Sequence, residues 1–436
     1  MPNKDHFGFF GQPEDNTGEF DVDQLREALQ RNPGGTTQTP TKAPQARRHH
    51  RVTSARRRKR RRWTSLIALL VLLLIGGTTF FAIRYWSNQG RAPAADYSGA
   101  GTTETIIRIN SGDVLSDISR TLLDAGVVQS AEAFTAAAQG NEQMAAIKPG
   151  YYKVRQQASA ADTVTALLEP ANRVGVAQLV PGNTLADTTV VKTGEVLPGY
   201  VSQLAAAACV PLNGVSDCFT ADQLWDTIRT TPVEELGLND WALPRVAANT
   251  DLDRRLEGMI VPDTYDVPPT ADPVAALKAV MAASAVKWNA TNLTTKAQEL
   301  GRDPYDLAII ASLVEREAIP ADMPRVATVI YNRLDAGMML QLDSTVNYGR
   351  QESSIGTTDE ARADASNPYN TYQHTGLPPT PIGGIGPDAL AATMNPAPGP
   401  WMYFVKVDTA GNSCFTVTFE EHSACVAQAQ ANGVFG

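Results

Sequence analysis

The sequence predicts an α+β protein tethered by a single-pass membrane anchor. Three observations carry that expectation. Trp63 to Ile83 is one uncharged apolar run, strand-like and helix-like segments alternate from Glu104 onward, and the chain closes on two further strand-like runs, "WMYFVKV" and "CFTVTF". The 436 residues allow two or three domains, at roughly 100 to 200 residues each. With 43% hydrophobic and 19% charged residues, most of the chain should fold around a core rather than remain disordered.

The N-terminal region reads in four parts. Residues 1–62 are rich in Gly, Pro, Thr and charge, with one short helical candidate, "DVDQLREALQ", and are expected to form a disordered cytoplasmic tail. Its last part, residues 42–62, holds eleven Lys or Arg and no acid, whereas residues 63–436 carry 23 Lys and Arg against 39 Asp and Glu. The run that follows, "WTSLIALLVLLLIGGTTFFAI", would span ~31 Å as a helix, close to the hydrocarbon thickness of a bilayer. The transmembrane helix is placed at 63–84. Aromatic residues at both ends (Trp63, Tyr85, Trp86) and the basic cluster before it keep the N-terminus cytoplasmic and the remainder extracytoplasmic, at the plasma membrane. The basic flank then serves anionic lipid rather than nucleic acid. A cleaved signal peptide is the rival reading, but its apolar core is usually about 7 to 15 residues. Residues 85–103 read as a flexible linker.

From Glu104 the texture is that of a small α+β module, 104–174. "ETIIRI" alternates as a strand, "NSGD" turns, "VLSDISRTLLDAG" and "AEAFTAAAQ" have helical spacing, and "IKPGYYKV" returns as a strand. A second, larger region follows at 175–436. All four cysteines lie beyond the apolar run, where an oxidising compartment lets disulfides persist. The local pairs Cys209 with Cys218 and Cys414 with Cys425 close short loops; free buried thiols are the alternative. No CxxC or His-rich cluster points to a metal, and no cofactor is expected.

Within the second region, "LAIIASLVEREAIP" sets two acids at the end of an apolar segment. Asp303 and Pro304 have the chemistry of an N-cap and first helical residue, so the helix is placed at about 304–319. Residues two apart point to nearly opposite sides of a helix, so Glu315 and Glu317 cannot share a role. A helical side chain leans back over residues three and four before it: Val314 and Leu313 for Glu317, Ser312 and Ala311 for Glu315. Glu317 is therefore the acid among large apolar groups, where burial favours the protonated form that a general acid needs. The alternative is an ordinary surface pair, each acid in a weak salt bridge and Arg316 turned away.

Taken with "LEGMIVPDTY", "VATVIYNRLDAGMMLQLDSTVNYG" and "NPYNTYQHTGLPPTPI", the stretch "ASLVEREA" resembles the YceG-like (MltG-type) endolytic murein transglycosylases over about residues 104–436. The resemblance implies a LysM-like module at 104–174 and, at 175–436, a YceG-like catalytic region of the lysozyme-like transglycosylase type. It also implies that Glu317, the second glutamate of the "VE-x-E" motif, is the catalytic acid. The implied reaction cuts the β-1,4 bond from N-acetylmuramic acid to N-acetylglucosamine in nascent glycan strands without water, leaving 1,6-anhydromuramoyl ends and limiting strand length. Gln341, Asp343, Ser344, Thr345, Tyr348, Asn370 and Tyr372 are the implied substrate-binding residues; turn-forming or packing roles are the alternative for each, and Asp343 could instead cap a short helix. Glu315, Glu257 and Asp263 are secondary candidates, the last two expected mainly as structural bonds between subdomains. The implied partners are peptidoglycan glycan strands, membrane lipid and the wall-elongation synthases (penicillin-binding proteins). Two other classes stay open: a non-catalytic glycan-binding scaffold, and a hydrolytic muramidase with Asp343 as the second carboxylate.

Overall fold

The computed structural model describes residues 71, 73–84, 94–353 and 357–434. The expected cytoplasmic tail and basic run lie outside the described residues, as do residues 63–70, Leu72 and the first part of the linker. Residues 73–84 are helical. Among the described residues, no helix is long and apolar enough to cross a membrane.

Residues 94–103, expected as linker, are instead laced to the module that follows. The Asp96 carboxylate accepts from the Ala160 N–H (3.0 and 3.2 Å), Gly99 O from the Ser159 N–H (2.8 Å), and Ala95 O from the Ser130 hydroxyl (2.7 Å). Composition alone misses this because the bonds that hold the segment come from Ser130, Ser159 and Ala160, far along the chain.

The module runs β1 (Glu104–Ile109), α1 (Leu115–Asp124), α2 (Ala131–Ala138), α3 (Glu142–Ala145), β2 (Gly150–Arg155), α4 (Ala160–Leu168) and β3 (Arg173–Val174), with an antiparallel sheet in the order β1-β2-β3. The "NSGD" turn closes through Asp113, whose carboxylate accepts from the Asn110 N–H (2.7 Å). Apolar residues of sheet and helices, including Ile107, Leu122, Phe134, Val154 and Leu167, form a core of their own. Both ends of the module are joined to the larger region. Glu104 and Asn213 exchange main-chain and side-chain hydrogen bonds (2.8, 2.8 and 3.2 Å), and Arg173 pairs with Asp266 (2.8 Å).

The regular structure of the larger region is mostly helical. It begins with β4 (Val176–Gln178), β5 (Thr188–Val190) and β6 (Val196–Leu197), then α5 (Tyr200–Ala208), α6 (Ala221–Thr230) and α7 (Leu243–Ala248). β7 (Thr264–Asp266) returns antiparallel to β4, followed by α8 (Pro273–Asn289), α9 (Leu293–Glu299), α10 (Pro304–Glu317), α11 (Met323–Asp335) and α12 (Asp343–Gly349). β8 (Glu352–Ser353) then pairs parallel with β5. α13 (Asp359–Ala363), α14 (Pro387–Met394), the β9–β10 hairpin (Tyr403–Lys406, Ser413–Thr416) and α15 (Phe419–Ala431) complete it. Cys209 is bonded to Cys218 and Cys414 to Cys425, the two local pairs; the second fastens α15 to β10.

α10 is the axis of this region. Asp303 caps it, its carboxylate accepting from the Tyr305 N–H (2.8 Å), and Pro304 opens it. Every residue from Leu307 to Val314 is at most 1% exposed, because α9, α11, α12 and α14 enclose the helix. Ile309, Ile310, Leu313 and Val314 enter the main core, while Leu307, Ala308 and Ala311 enter a second one with Trp288 and Leu390. At about 1.5–3 kcal/mol for each large side chain removed from water, this burial fixes the helix firmly. The single polar residue within that run is satisfied: Ser312 Oγ donates to Ile309 O (2.7 Å) and accepts from the Ile382 N–H (3.0 Å).

Candidate active site

α10 delivers Glu315, Arg316 and Glu317 to its C-terminal end, all three partly buried. The helix has no solvent face, so both acids inherit a low-dielectric setting, and a one-sided apolar stripe does not separate them. Their partners do. Glu315 Oε2 accepts from the Gly386 N–H (3.0 Å). Burial pushes its carboxyl above the usual range against that hydrogen bond, and Asp388 adds to the rise. Glu317 Oε1, by contrast, is buried with no hydrogen-bond partner among the described residues. An orphaned buried oxygen at a helix end needs a reason, and a reacting group is one.

Gly386 makes the Glu315 contact possible. A Cβ there would stand 2.7 Å from Glu315 Oε2 and 3.1 Å from two atoms of the Pro181 ring. Gly386→Ala is therefore expected to destabilise the region by about 1–3 kcal/mol, as overpacking does; urea unfolding of wild type and variant measures it.

Arg316 does not turn away. Its Nη1 donates to Gly182 O (2.7 Å), and burial disfavours its cation while Glu317, Glu257 and Glu315 favour it. It lines a cavity of about 280 Å³ together with Trp225, Arg254, Glu257 and Tyr348. Glu257 is only 2% exposed; it accepts from the Leu185 N–H (3.2 Å to each oxygen) and from the Tyr348 hydroxyl (3.0 Å). Burial raises its carboxyl to about 7, and those hydrogen bonds and Arg254 only partly oppose the rise. Arg254 itself is paired with Asp251 (2.8 Å) and flanked by the rings of Tyr348 and Tyr369. Asp263 is paired with Lys287 and accepts from the Thr264 N–H.

The 341–348 and 370–372 segments meet through one carboxylate. Asp343 accepts from Arg362 Nε (2.9 Å) and Nη2 (2.7 Å), from Thr357 (2.7 Å) and from the Tyr372 hydroxyl (2.8 Å). Burial pushes this carboxyl up, but those donors outweigh it and hold it below the usual carboxylate range. Asp343 is the first residue of α12, not its cap. With its acceptor capacity filled, it is an organiser of the site rather than a free base or substrate contact. Tyr372, stacked under Arg362, lies within the field of Glu317, so the acid and this network share one place.

Three further expected substrate contacts are corrected. Thr345 and Asn370 are both fully buried. Thr345 bonds Leu342 O and Thr371, and the Asn370 amide is spent on Ala361, Arg362 and Asp364 carbonyls, so neither presents a polar group to a groove. Tyr348 is likewise buried, with its hydroxyl committed to Glu257. Gln341 is exposed with a left-handed backbone (φ 51°), which leaves it available, whereas Ser344 Oγ is buried without a partner among the described residues. Arg316 and Arg362 were not foreseen as site residues; the two glutamates flanking Arg316 in "ERE", and an arginine near "YNTY", are the only local signals.

The model of the YceG-like family matches residues 107–428. The chain belongs to that family. Among relatives of this YceG-like chain, the endolytic murein transglycosylase of Bacillus subtilis (strain 168) is 34% identical over 181 residues, 40% of this chain and 48% of that protein. The endolytic murein transglycosylase of Streptococcus pneumoniae serotype 2 (strain D39) is 26% identical over 332 residues, 74% and 58% respectively. The chain thus spans about half the length of the curated relatives it matches. A crystal structure of a YceG-like protein from Listeria monocytogenes aligns with a TM-score of 0.44 and 24% identity over 74% of this chain and 98% of that one.

Proposed function

We propose that this YceG-like protein is a membrane-anchored endolytic lytic transglycosylase of peptidoglycan, with Glu317 as its acid. The observation that carries the reading is the Glu317 carboxylate at the end of a fully enclosed helix, with one oxygen buried and unpartnered among the described residues. Relatives named endolytic murein transglycosylase support the reaction class. In the proposed reaction, protonated Glu317 gives its proton to the oxygen leaving C1 of N-acetylmuramic acid. The 2-acetamido group stabilises C1, the Glu317 carboxylate then takes the proton of the C6 hydroxyl, and O6 bonds to C1. Proton and bonds balance without water, so one carboxylate suffices. Occupation of Asp343 by four donor atoms disfavours the hydrolytic alternative, which needs a second free carboxylate or a positioned water.

The uncharged run Trp63–Ile83 with its basic flank supports a single-pass anchor, N-terminus inside, against anionic lipid. On this reading the 104–174 module is a LysM-like glycan-binding unit, and the site works on nascent strands beside the wall-elongation synthases. Mass spectrometry of uncrosslinked glycan strands digested by the full chain tests the reaction. Internal cleavage to anhydromuramoyl ends, one water lighter than reducing ends, is the expected result. Reducing ends would make it a hydrolase, and intact strands would leave a binding scaffold.

A further inference from the structure

The cavity of about 280 Å³ beside the end of α10 does not have Glu317 in its wall, and the reaction derived above makes no use of it. Most of the charge around it is spent in pairs. Arg229 is bonded to Asp253 and to Asp226 (2.9 Å), Arg254 to Asp251 (2.8 Å), and Glu352 to Arg350 through two nitrogens (3.0 Å each). Arg316 is the exception among the cations of the wall. One of its nitrogens donates to a neutral carbonyl, Gly182 O (2.7 Å); the others have no partner among the described residues and are not sealed from the cavity.

Two acids of the wall have no ion pair among the described residues. Asp187 accepts from the Gly199 N–H (2.7 Å), and Glu257 accepts from the Leu185 N–H and the Tyr348 hydroxyl. Glu257 is held mostly protonated below neutrality, because burial raises its carboxyl to about 7. That leaves one open cation, Arg316, and one open anion, Asp187. Between them the rings of Trp225 and Tyr348 supply apolar wall.

We propose that this cavity is a second binding site, for the carboxyl-terminal end of a peptide, with Arg316 pairing with the free carboxylate and Asp187 accepting an amide N–H. A planar guanidinium offers two parallel N–H groups to a carboxylate, which is the pairing that Arg makes best. The amide next to that carboxylate carries the donor that Asp187 lacks. A carbon chain also covers the two rings, which inorganic phosphate does not. The volume lies at the lower edge of the ~300–1,000 Å³ of ligand pockets, and so suits a short peptide end rather than a folded partner.

The peptide stems carried by N-acetylmuramic acid end in such a carboxylate. The inference rests on the peptidoglycan reading for the source of the peptide, and it adds a point of recognition apart from the bond that is cut. Binding itself does not depend on the reaction.

The test is isothermal titration of the full chain in detergent micelles at pH 6, where Glu257 is mostly protonated. Acetyl-D-alanyl-D-alanine is compared with the same peptide as its carboxyl-terminal amide. The acid is expected to bind about tenfold more tightly than the amide, or better, as hydrogen bonds to a charged group require. Arg316→Met should bring the acid down to the level of the amide. Arg316→Lys, which keeps the charge and loses the fork, should fall between.

Equal affinity of wild type for acid and amide overturns the proposal, and that comparison does not depend on any variant folding. Failure of the acid to bind overturns it as well, as does inorganic phosphate binding where the peptide does not. Glu317→Gln is expected to bind the acid as wild type does while losing cleavage. If wild type binds the peptide but yields no anhydromuramoyl ends, the reaction assigned to Glu317 fails and the peptide site stands.

Discussion

Glu317→Gln is expected to lower glycan cleavage by about 10²–10⁴-fold, the range that a positioned general acid contributes. The amide keeps the volume of the side chain but cannot give a proton to the leaving oxygen or take one from the C6 hydroxyl. Folding should not suffer. Glu317 Oε1 is buried without a partner among the described residues, so the wild-type chain bears the desolvation cost of a polar atom that those residues do not satisfy. The variant should therefore melt at the wild-type temperature or above it while losing turnover. Rate assays on defined strands, paired with calorimetry, check both halves. A variant that cleaves within tenfold of wild type would remove Glu317 from the chemistry.

Glu257→Gln is expected to change how stability depends on pH. An ordinary glutamate titrates at 4.5, whereas burial raises the folded-state value of Glu257 to about 7. Between these values the folded chain holds a proton that the unfolded chain has released, so unfolding releases it. The stabilisation is complete below pH 4.5, declines as pH rises through the window and is gone above pH 7. The full change is about 3 kcal/mol. Glutamine has no such step, although it surrenders one acceptor to the Leu185 N–H at every pH. Urea unfolding at pH 5 and pH 8 captures most of the effect: wild type should lose about 2–3 kcal/mol more than the variant between the two conditions. Equal losses would mean that Glu257 is not buried as an acid.

Local chemistry made part of this architecture legible. The start of α10 follows from Asp303 and Pro304, the first module from its strand and helix periodicities, and the two disulfides from short loops. Selection between Glu315 and Glu317 by apolar neighbours relied on a helix with one buried side, and α10 has none that is exposed. What distinguishes the two acids is the Gly386 N–H, contributed from seventy-one positions away. Thr345, Asn370 and Asp343 show the same limit. Their side chains have the chemistry of sugar contacts, but α13 and the residue after it supply the carbonyls that occupy Asn370 and the Arg362 cation that occupies Asp343, while Thr345 is taken up by Leu342 O and the Thr371 hydroxyl. Arginine partners are equally non-local, which is why Arg316 and Arg362 carried no signal in the sequence beyond their charge.

The enclosure of α10 between two cores also bears on how this protein fails. Glu317 is borne by the most protected helix of the region, not by a lid or loop that could loosen first. Partial melting that spared the cores would leave the acid in place, and disordering that helix would require both cores to open. Heat inactivation and global denaturation should therefore be one event, so that surviving activity counts folded molecules.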